Sequence, residues 1–198
     1  KIDIFYSLKY GARALINFEN PYQAVYPQVY EGKVLNYFAY FPTTLAYYSF
    51  FSFLFDPRLG IICAHVLIVF LIRRIFTLFP HIPKNTSEVA SLLFLYYPLL
   101  PFITEQSFTD SLTVLLCTLL FYYIVKNSRS KILYVIVLIM NIKQVYFVFF
   151  PLMMYKMRAL KNLMSVVKAY MLGLVLTAPF LLFSLKDFLY DTVFIYLQ

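Results

Sequence analysis

The residues of this sequence that could do chemistry are charged side chains at the ends of long apolar runs. Asp3, Glu105 and Asp110 are carboxylates in such positions, and Lys143 interrupts the apolar run 131–155. Charge is costly at membrane depth, so charged groups where such runs end are functional candidates by default. The simpler alternative is that each charge only marks the point where a helix leaves the lipid.

Carboxylates and cations that face one side of a membrane suit sugar transfer from a lipid phosphate carrier. An inverting transferase needs a base that deprotonates the acceptor hydroxyl and a cation that stabilises the departing phosphate. Asp3 is the predicted base, and Lys143, Lys9 or Arg13 is the predicted phosphate partner. The sequence leaves the choice among these three cations open.

A divalent metal ion is an alternative or an addition to the cation. Asp3 with Glu105 or Asp110 could hold Mg²⁺ or Mn²⁺, because both ions favour hard oxygen ligands and substrate phosphate. Without a metal, Glu105 and Asp110 are expected to position the sugar. Cys63 and Cys117 are isolated within apolar segments and lack metal-ligand spacing, so we expect them to be small packing residues.

Uncharged side chains near the predicted site supply further candidates for substrate contact. Tyr6, Tyr22 and Tyr40 could stack on a sugar ring, and Gln144 follows the lysine of the interrupted run. His65 lies inside an apolar run and is predicted to be a packed, hydrogen-bonded core residue rather than a ligand. With only four glycines, the chain has no glycine-rich phosphate loop.

The elements that must position these residues are predicted to be membrane helices. The chain is 62% hydrophobic and 13% charged, with a mean hydropathy of +0.75, which predicts an all-α polytopic membrane protein. The net charge of +8 comes with no basic cluster on a polar surface, so nucleic acid is not an expected partner. The predicted apolar runs are 41–55, 59–79, 89–104, 107–125, 131–155 and 165–184.

The distribution of basic residues predicts how these runs cross the membrane. Ten of the 17 basic residues fall into three groups that we expect on the cytoplasmic side. Runs 89–104 and 107–125 then form one up-and-down pair, and run 41–55 is juxtamembrane. Run 131–155 must turn back near Asn141–Gln144, the alternative being one straight tilted helix. The three groups are Arg73, Arg74 and Lys84; Lys126, Arg129 and Lys131; and Lys156, Arg158, Lys161 and Lys168.

Residues 1–38 are predicted to be an extracytoplasmic loop and residues 39–198 a transmembrane bundle. Within the loop, apolar residues at helical spacing predict an amphipathic interfacial helix with Asp3, Lys9 and Arg13 on its polar face. The polar start at Lys1 and the apolar end at Gln198 suggest a fragment of a longer protein. The apolar residues of the predicted helix are Ile4, Phe5, Leu8, Ala12, Leu15 and Ile16.

Several short motifs resemble those of GT-C glycosyltransferases, above all the polyprenyl-phosphate-mannose-dependent α-mannosyltransferases. Three segments are similar to the first extracytoplasmic loop of that family, whose aspartate is the catalytic base and corresponds to Asp3. The turn Ile142-Lys143-Gln144, followed by Pro151, is similar to the family hairpin whose lysine approaches the lipid phosphate. The three segments are Ile2-Asp3-Ile4-Phe5-Tyr6, Gly11-Ala12-Arg13-Ala14-Leu15 and Asn20-Pro21-Tyr22.

The chain also departs from the family pattern. Tyr40-Phe41-Pro42 is similar to the element that opens the juxtamembrane helix, but Phe41 stands where the first proline would be. Gln144 replaces the proline or glycine that follows the hairpin lysine. Pro179-Phe180-Leu181-Leu182 and Lys186-Asp187-Phe188 resemble a later extracytoplasmic helix end.

The resemblance implies a multi-pass enzyme of the plasma membrane or endoplasmic reticulum with an extracytoplasmic active site. Its donor would be a polyprenyl-phosphate-linked hexose, with mannose as the expected sugar, and its acceptor a glycan or a lipid. The apolar runs would form a groove for the polyprenyl tail. Two alternatives remain open: a transporter or flippase subunit, which would need broken helices or charges at mid-membrane, and a non-catalytic scaffold subunit.

Overall fold

The computed structural model describes residues 3–26 and 38–192, except for the side chains of Asp3 and Lys84. Within these residues the regular elements are helices, and the helical content confirms the predicted all-α class. The helices are α1 (Asp3–Ile16), α2 (Pro42–Leu54), α3 (Arg58–Phe76), α4 (Lys84–Leu95), α5 (Leu100–Gln106), α6 (Asp110–Val125), α7 (Arg129–Met140), α8 (Gln144–Lys156), α9 (Leu163–Phe183) and α10 (Leu185–Thr192).

Two of the described helices are long and apolar enough to cross a membrane. They are α3, with 19 residues, and α9, with 21 residues. A third crossing is possible if α4 and α5, which are bent by 47° at a short break, count as one span. The apolar helix α6 has 16 residues, fewer than the roughly 20 that a perpendicular crossing of the hydrocarbon core needs.

The predicted interruption of run 131–155 is confirmed, and the alternative of one straight helix is wrong. Helix α7 ends at Met140 and α8 begins at Gln144. The Asn141 side chain bonds back to the Val137 carbonyl at 2.9 Å, and Lys143 has an extended backbone that cannot continue a helix. A charged residue in the run thus coincides with a turn.

Run 89–104, which is predicted as one crossing of the up-and-down pair, is divided into two helices in the structure. Helix α4 ends at Leu95, and α5 begins at Leu100 after the break. Pro98 explains the break, because proline lacks the N–H that a helix interior needs and disfavours helical backbone at the preceding residue. Helix α5 ends at Ser107, whose positive φ of 62° stops the helix.

The predicted amphipathic helix near the N-terminus is present as α1, but its apolar face packs on α2. Phe5, Leu8 and Ala12 on that face are buried. Arg13 on the opposite face is exposed. Ile16, assigned to the apolar face from its spacing, is 41% exposed because α1 ends there. The helix therefore belongs to the folded core, and its extracytoplasmic location stays a prediction.

Helix α2 is the element that joins α1 to α3, one of the two helices long and apolar enough to cross a membrane. It packs against both α1 and α3, and Leu45 and Tyr48 are almost fully buried. The Tyr47 hydroxyl donates a hydrogen bond of 2.7 Å to the Gly60 carbonyl on α3. A Cβ atom at Gly60 would lie 2.9 Å from the Phe51 ring, so the two helices approach closely only because this residue is glycine.

Candidate functional site

Lys143 and Asp110 form an ion pair between the α7–α8 turn and the start of α6. The Lys143 ammonium lies 3.1 Å from an Asp110 carboxylate oxygen, and the two side chains are 34% and 62% exposed. The acid also lies in the first turn of α6, where the helix dipole favours negative charge. Ion pairs this exposed contribute ~0–1 kcal/mol. Lys143 can therefore leave Asp110 for a stronger anion, such as a phosphate, at little cost.

The turn that carries Lys143 is docked onto the first residues of α2. The Phe41 amide donates to the Ile142 carbonyl at 3.1 Å, and the Thr43 amide donates to the Asn141 carbonyl at 2.9 Å. Gln144, the first residue of α8, is half-buried. Its side-chain oxygen has no hydrogen-bond partner within the described residues. The start of α2 thus fixes the backbone around the predicted phosphate-binding lysine.

An apolar groove of about 520 Å³ is lined by residues of α1, α2, α6, α7 and α9. On α6 the lining begins at Leu112, two residues after Asp110, and on α2 it begins at Pro42, next to the docked turn. Its other apolar lining residues include Leu45, Leu115, Leu116, Leu138, Leu176 and Phe180. The groove therefore has an apolar interior whose lining starts close along the chain to Asp110 and to the turn that carries Lys143, although neither residue of the ion pair lines it.

A second charged group, which the sequence analysis did not select, lies at the start of α3. Arg58 makes a salt bridge of 2.7 Å to Asp56 and interacts electrostatically with Glu105. The Arg58 guanidinium lies 5.2 Å from the centre of the Phe5 ring, and the Lys9 ammonium lies 5.8 Å from the same ring. The Asp56-Pro57-Arg58 motif between two apolar runs was the sequence signal for this group.

Phe5 lies in the first turn of α1, together with the backbone of Asp3, so Arg58 and the Lys9 of the same helix both lie near that turn. The side chain of Asp3 is outside the part of the chain that the structure describes, so its predicted role as base stays a prediction. Arg13 lies farther along α1, is exposed, and packs 5.5 Å from the Tyr10 ring. Of the two cations on α1, Lys9 is therefore the one near Arg58.

His65 lies in the wall between two cavities. One cavity, of about 680 Å³, is lined by Arg58 and Glu105, and the other, of about 290 Å³, by Asp110; both share His65. The ring is only 8% exposed, and its Nε2 atom lies 3.0 Å from the Ser111 hydroxyl. The prediction of a packed, hydrogen-bonded residue is confirmed, and the hydrogen bond ties α3 to α6.

The three tyrosines selected as sugar contacts lie in different surroundings. Tyr22 is 3% exposed, and its hydroxyl donates to the Tyr40 carbonyl at 2.8 Å. Burial raises its pKa well above the usual value of 10, so the phenol stays a proton donor. Tyr40 is 9% exposed, whereas Tyr6 is half-buried and stacks on Tyr10. Of the three, Tyr6 is the one that is not buried: Tyr22 packs against Phe38 and Phe188, and Tyr40 packs against Phe38.

The described residues do not supply a metal site by themselves. No group of three His, Cys, Asp or Glu side chains is placed to hold a metal ion in the part of the chain that the structure describes. Asp110 already has Lys143 as its counter-ion, and Glu105 lines a different cavity. The predicted Mg²⁺ or Mn²⁺ site with Asp3 stays a prediction, and no step below depends on it.

No family model matches the chain, and searches of curated proteins and of solved structures find no match.

Proposed function

We propose that this chain is part of a polytopic membrane glycosyltransferase. It transfers a hexose, with mannose as the expected sugar, from a polyprenyl-phosphate carrier to a glycan or lipid acceptor on the extracytoplasmic face. The GT-C-like motifs around Asp3 and Lys143 support this reaction class. The chemistry needs one general base, one cation for the departing phosphate, and an apolar channel for the carrier.

The observation that carries the proposal is the exposed ion pair of Lys143 on a turn that docks onto the start of α2, where Pro42 and Thr43 line the apolar groove. A polyprenyl phosphate has an apolar chain and an anionic end. In the proposed complex the apolar groove holds the chain, and the ammonium of Lys143 binds the phosphate in place of Asp110. Lys143 exchanges Asp110 for the carrier phosphate when donor binds. The phosphate gains negative charge as the sugar departs, so the ammonium stabilises the transition state more than the bound donor.

The acceptor side of the reaction is assigned to the first turn of α1. Asp3 takes the proton from the acceptor hydroxyl, and Glu105 accepts hydrogen bonds from hydroxyls of the sugar or acceptor. Lys9 and Arg58, whose charged groups lie 5.8 and 5.2 Å from the centre of the Phe5 ring, add positive charge near the first turn of α1. Arg58 thus joins the candidate residues selected from the sequence.

The experiment compares Lys143→Gln with Lys126→Gln in the full-length protein, in membranes supplied with labelled polyprenyl-phosphate-mannose. Lys126 is an exposed lysine at the end of α6, so its variant makes the same change in charge elsewhere. We expect a loss of about 10²–10³ in kcat for Lys143→Gln, as for other groups that stabilise developing charge, and wild-type transfer for Lys126→Gln. Equal transfer by both variants would exclude Lys143 from the reaction.

The break between α4 and α5 favours a second candidate, a lipid flippase or transporter. Broken helices form substrate sites in many transporters, and these two are bent by 47°. The test reconstitutes the protein in vesicles and follows both hexose transfer and movement of labelled polyprenyl-phosphate-mannose across the bilayer. Movement without glycosylated product would favour the flippase, and product without movement the transferase.

A further inference from the structure

We propose that Thr44 is a positioning residue that holds Lys143 in place for phosphate departure. This inference rests on the proposed glycosyl transfer and extends it to a residue outside the motifs. Thr44 is fully buried in the first turns of α2. Its hydroxyl donates a hydrogen bond of 3.2 Å to the carbonyl of Ile142, the residue that immediately precedes Lys143.

The Ile142 carbonyl is held from two directions. The Phe41 amide donates to it at 3.1 Å, so the Thr44 hydroxyl supplies its second hydrogen bond. A backbone carbonyl has two lone pairs, and a buried one is best satisfied when both find donors. With the Thr43 amide bonded to Asn141, three donors at the start of α2 fix the α7–α8 turn.

This contact matters because the side chain of Lys143 is held only weakly, so the position of its ammonium depends on how the backbone of the turn is fixed. Its backbone is extended between two helices, and the ion pair that its side chain makes is exposed. Helix α2 also packs along α1, which carries Asp3. The same helix therefore holds both predicted reacting groups, and the Thr44 contact sets the position of the cation relative to the base.

Loss of this contact should affect the transition state more than donor binding. The carrier tail and the lysine both contribute to binding the donor, but only the lysine meets the charge that develops on the phosphate. A misplaced ammonium therefore lowers kcat and leaves KM for the donor almost unchanged.

The test compares three variants of the full-length protein. Thr44→Val removes the hydroxyl and keeps the side-chain shape, and Thr44→Ser restores the hydroxyl. The matched control is Thr113→Val on α6, because the Thr113 hydroxyl is buried without a hydrogen-bond partner among the described residues. We expect kcat to fall about tenfold in Thr44→Val, with KM changed less than twofold. Thr44→Ser and Thr113→Val should stay within threefold of wild type.

A double-mutant cycle separates positioning from general damage. In a Lys143→Gln background, Thr44→Val should reduce the residual transfer by less than twofold, because its effect acts through the lysine. A full tenfold further loss would overturn the proposal. So would a loss in Thr113→Val equal to that in Thr44→Val.

A readout that does not require transfer keeps this inference distinct from the proposed function. Lys143→Cys is labelled with a maleimide, with and without Thr44→Val, at a temperature where both proteins remain folded. We expect the labelling rate to change at least threefold, and an unchanged rate would refute positioning by Thr44. A changed rate in a protein whose wild type transfers no sugar would support the positioning and refute only the proposed reaction.

Discussion

Asp191 is predicted to make the stability of the fold depend on pH. It lies on α10, is 2% exposed, and accepts a hydrogen bond of 2.8 Å from the Phe38 amide. Burial raises its pKa from 3.8 to about 7; the hydrogen bond from Phe38 opposes this rise, and the nearby Asp187 adds to it. The buried phenols of Tyr22 and Tyr26 interact electrostatically with the same carboxylate.

The sign of the effect follows from proton binding. Between pH 3.8 and about 7 the folded protein binds more protons at Asp191 than the unfolded chain, so the free energy of unfolding falls as pH rises. A difference of about three pKa units corresponds to about 4 kcal/mol. Because the carboxylate also lines an open groove of about 730 Å³, solvent screening reduces the expected loss to about 2 kcal/mol.

The assay measures thermal unfolding in detergent between pH 4 and pH 8 for wild type and Asp191→Asn. Asparagine keeps an oxygen that can accept from Phe38 but carries no charge. We expect this variant to lose the Asp191-dependent slope and to be more stable than wild type at pH 8. The control, Glu19→Gln, changes an exposed acid on the N-terminal segment and should keep the wild-type slope. If the thermal stability of Asp191→Asn changed with pH in parallel with that of wild type, Asp191 would not be the source of the pH dependence.

Three further predictions concern single contacts and are measured as changes in the free energy of unfolding in detergent. Tyr22→Phe should cost about 1 kcal/mol, because it removes the hydrogen bond to Tyr40; an unchanged stability would contradict this. Gly60→Ala should cost ~1–3 kcal/mol by overpacking. Gly173→Ala should cost less, because its added Cβ would come no closer than 3.2 Å to any neighbour. A larger loss of stability in Gly173→Ala than in Gly60→Ala would count against the close α2–α3 packing. Ser111→Ala should cost about 1 kcal/mol by removing the partner of His65, and a neutral result would argue against that contact.

The sequence predicted the helix break at Lys143 because a charge in an apolar run is a local signal. It also predicted α1, whose apolar spacing is that of an amphipathic helix. Pro98 was recognised only as one of several prolines that offer a break, because hydropathy continues across it without change. A proline is tolerated in many membrane helices, so its effect depends on neighbouring helices.

Candidate residues could be selected correctly from the sequence where their charge alone marks them. Selection was less successful where burial determines whether a side chain is accessible. Asp110 and Lys143 were both selected from the sequence, and the structure places them 3.1 Å apart. Tyr22 was selected for its neighbourhood, but its ring packs 4.8 Å from Phe188 on α10, far along the chain. Arg58 was overlooked because its sequence neighbour Asp56 gives no functional signal, and its other neighbours, Phe5 and Glu105, reach it only through tertiary packing.

The most direct test of the central claim is hexose transfer by the full-length protein in membranes supplied with labelled polyprenyl-phosphate-mannose, comparing wild type with Asp3→Asn. The account predicts labelled product from wild type and a loss of transfer in Asp3→Asn, with both proteins expressed and folded to the same extent. Undiminished transfer in Asp3→Asn would contradict its role as the base. No transfer by wild type from any polyprenyl-phosphate hexose would contradict the glycosyltransferase itself.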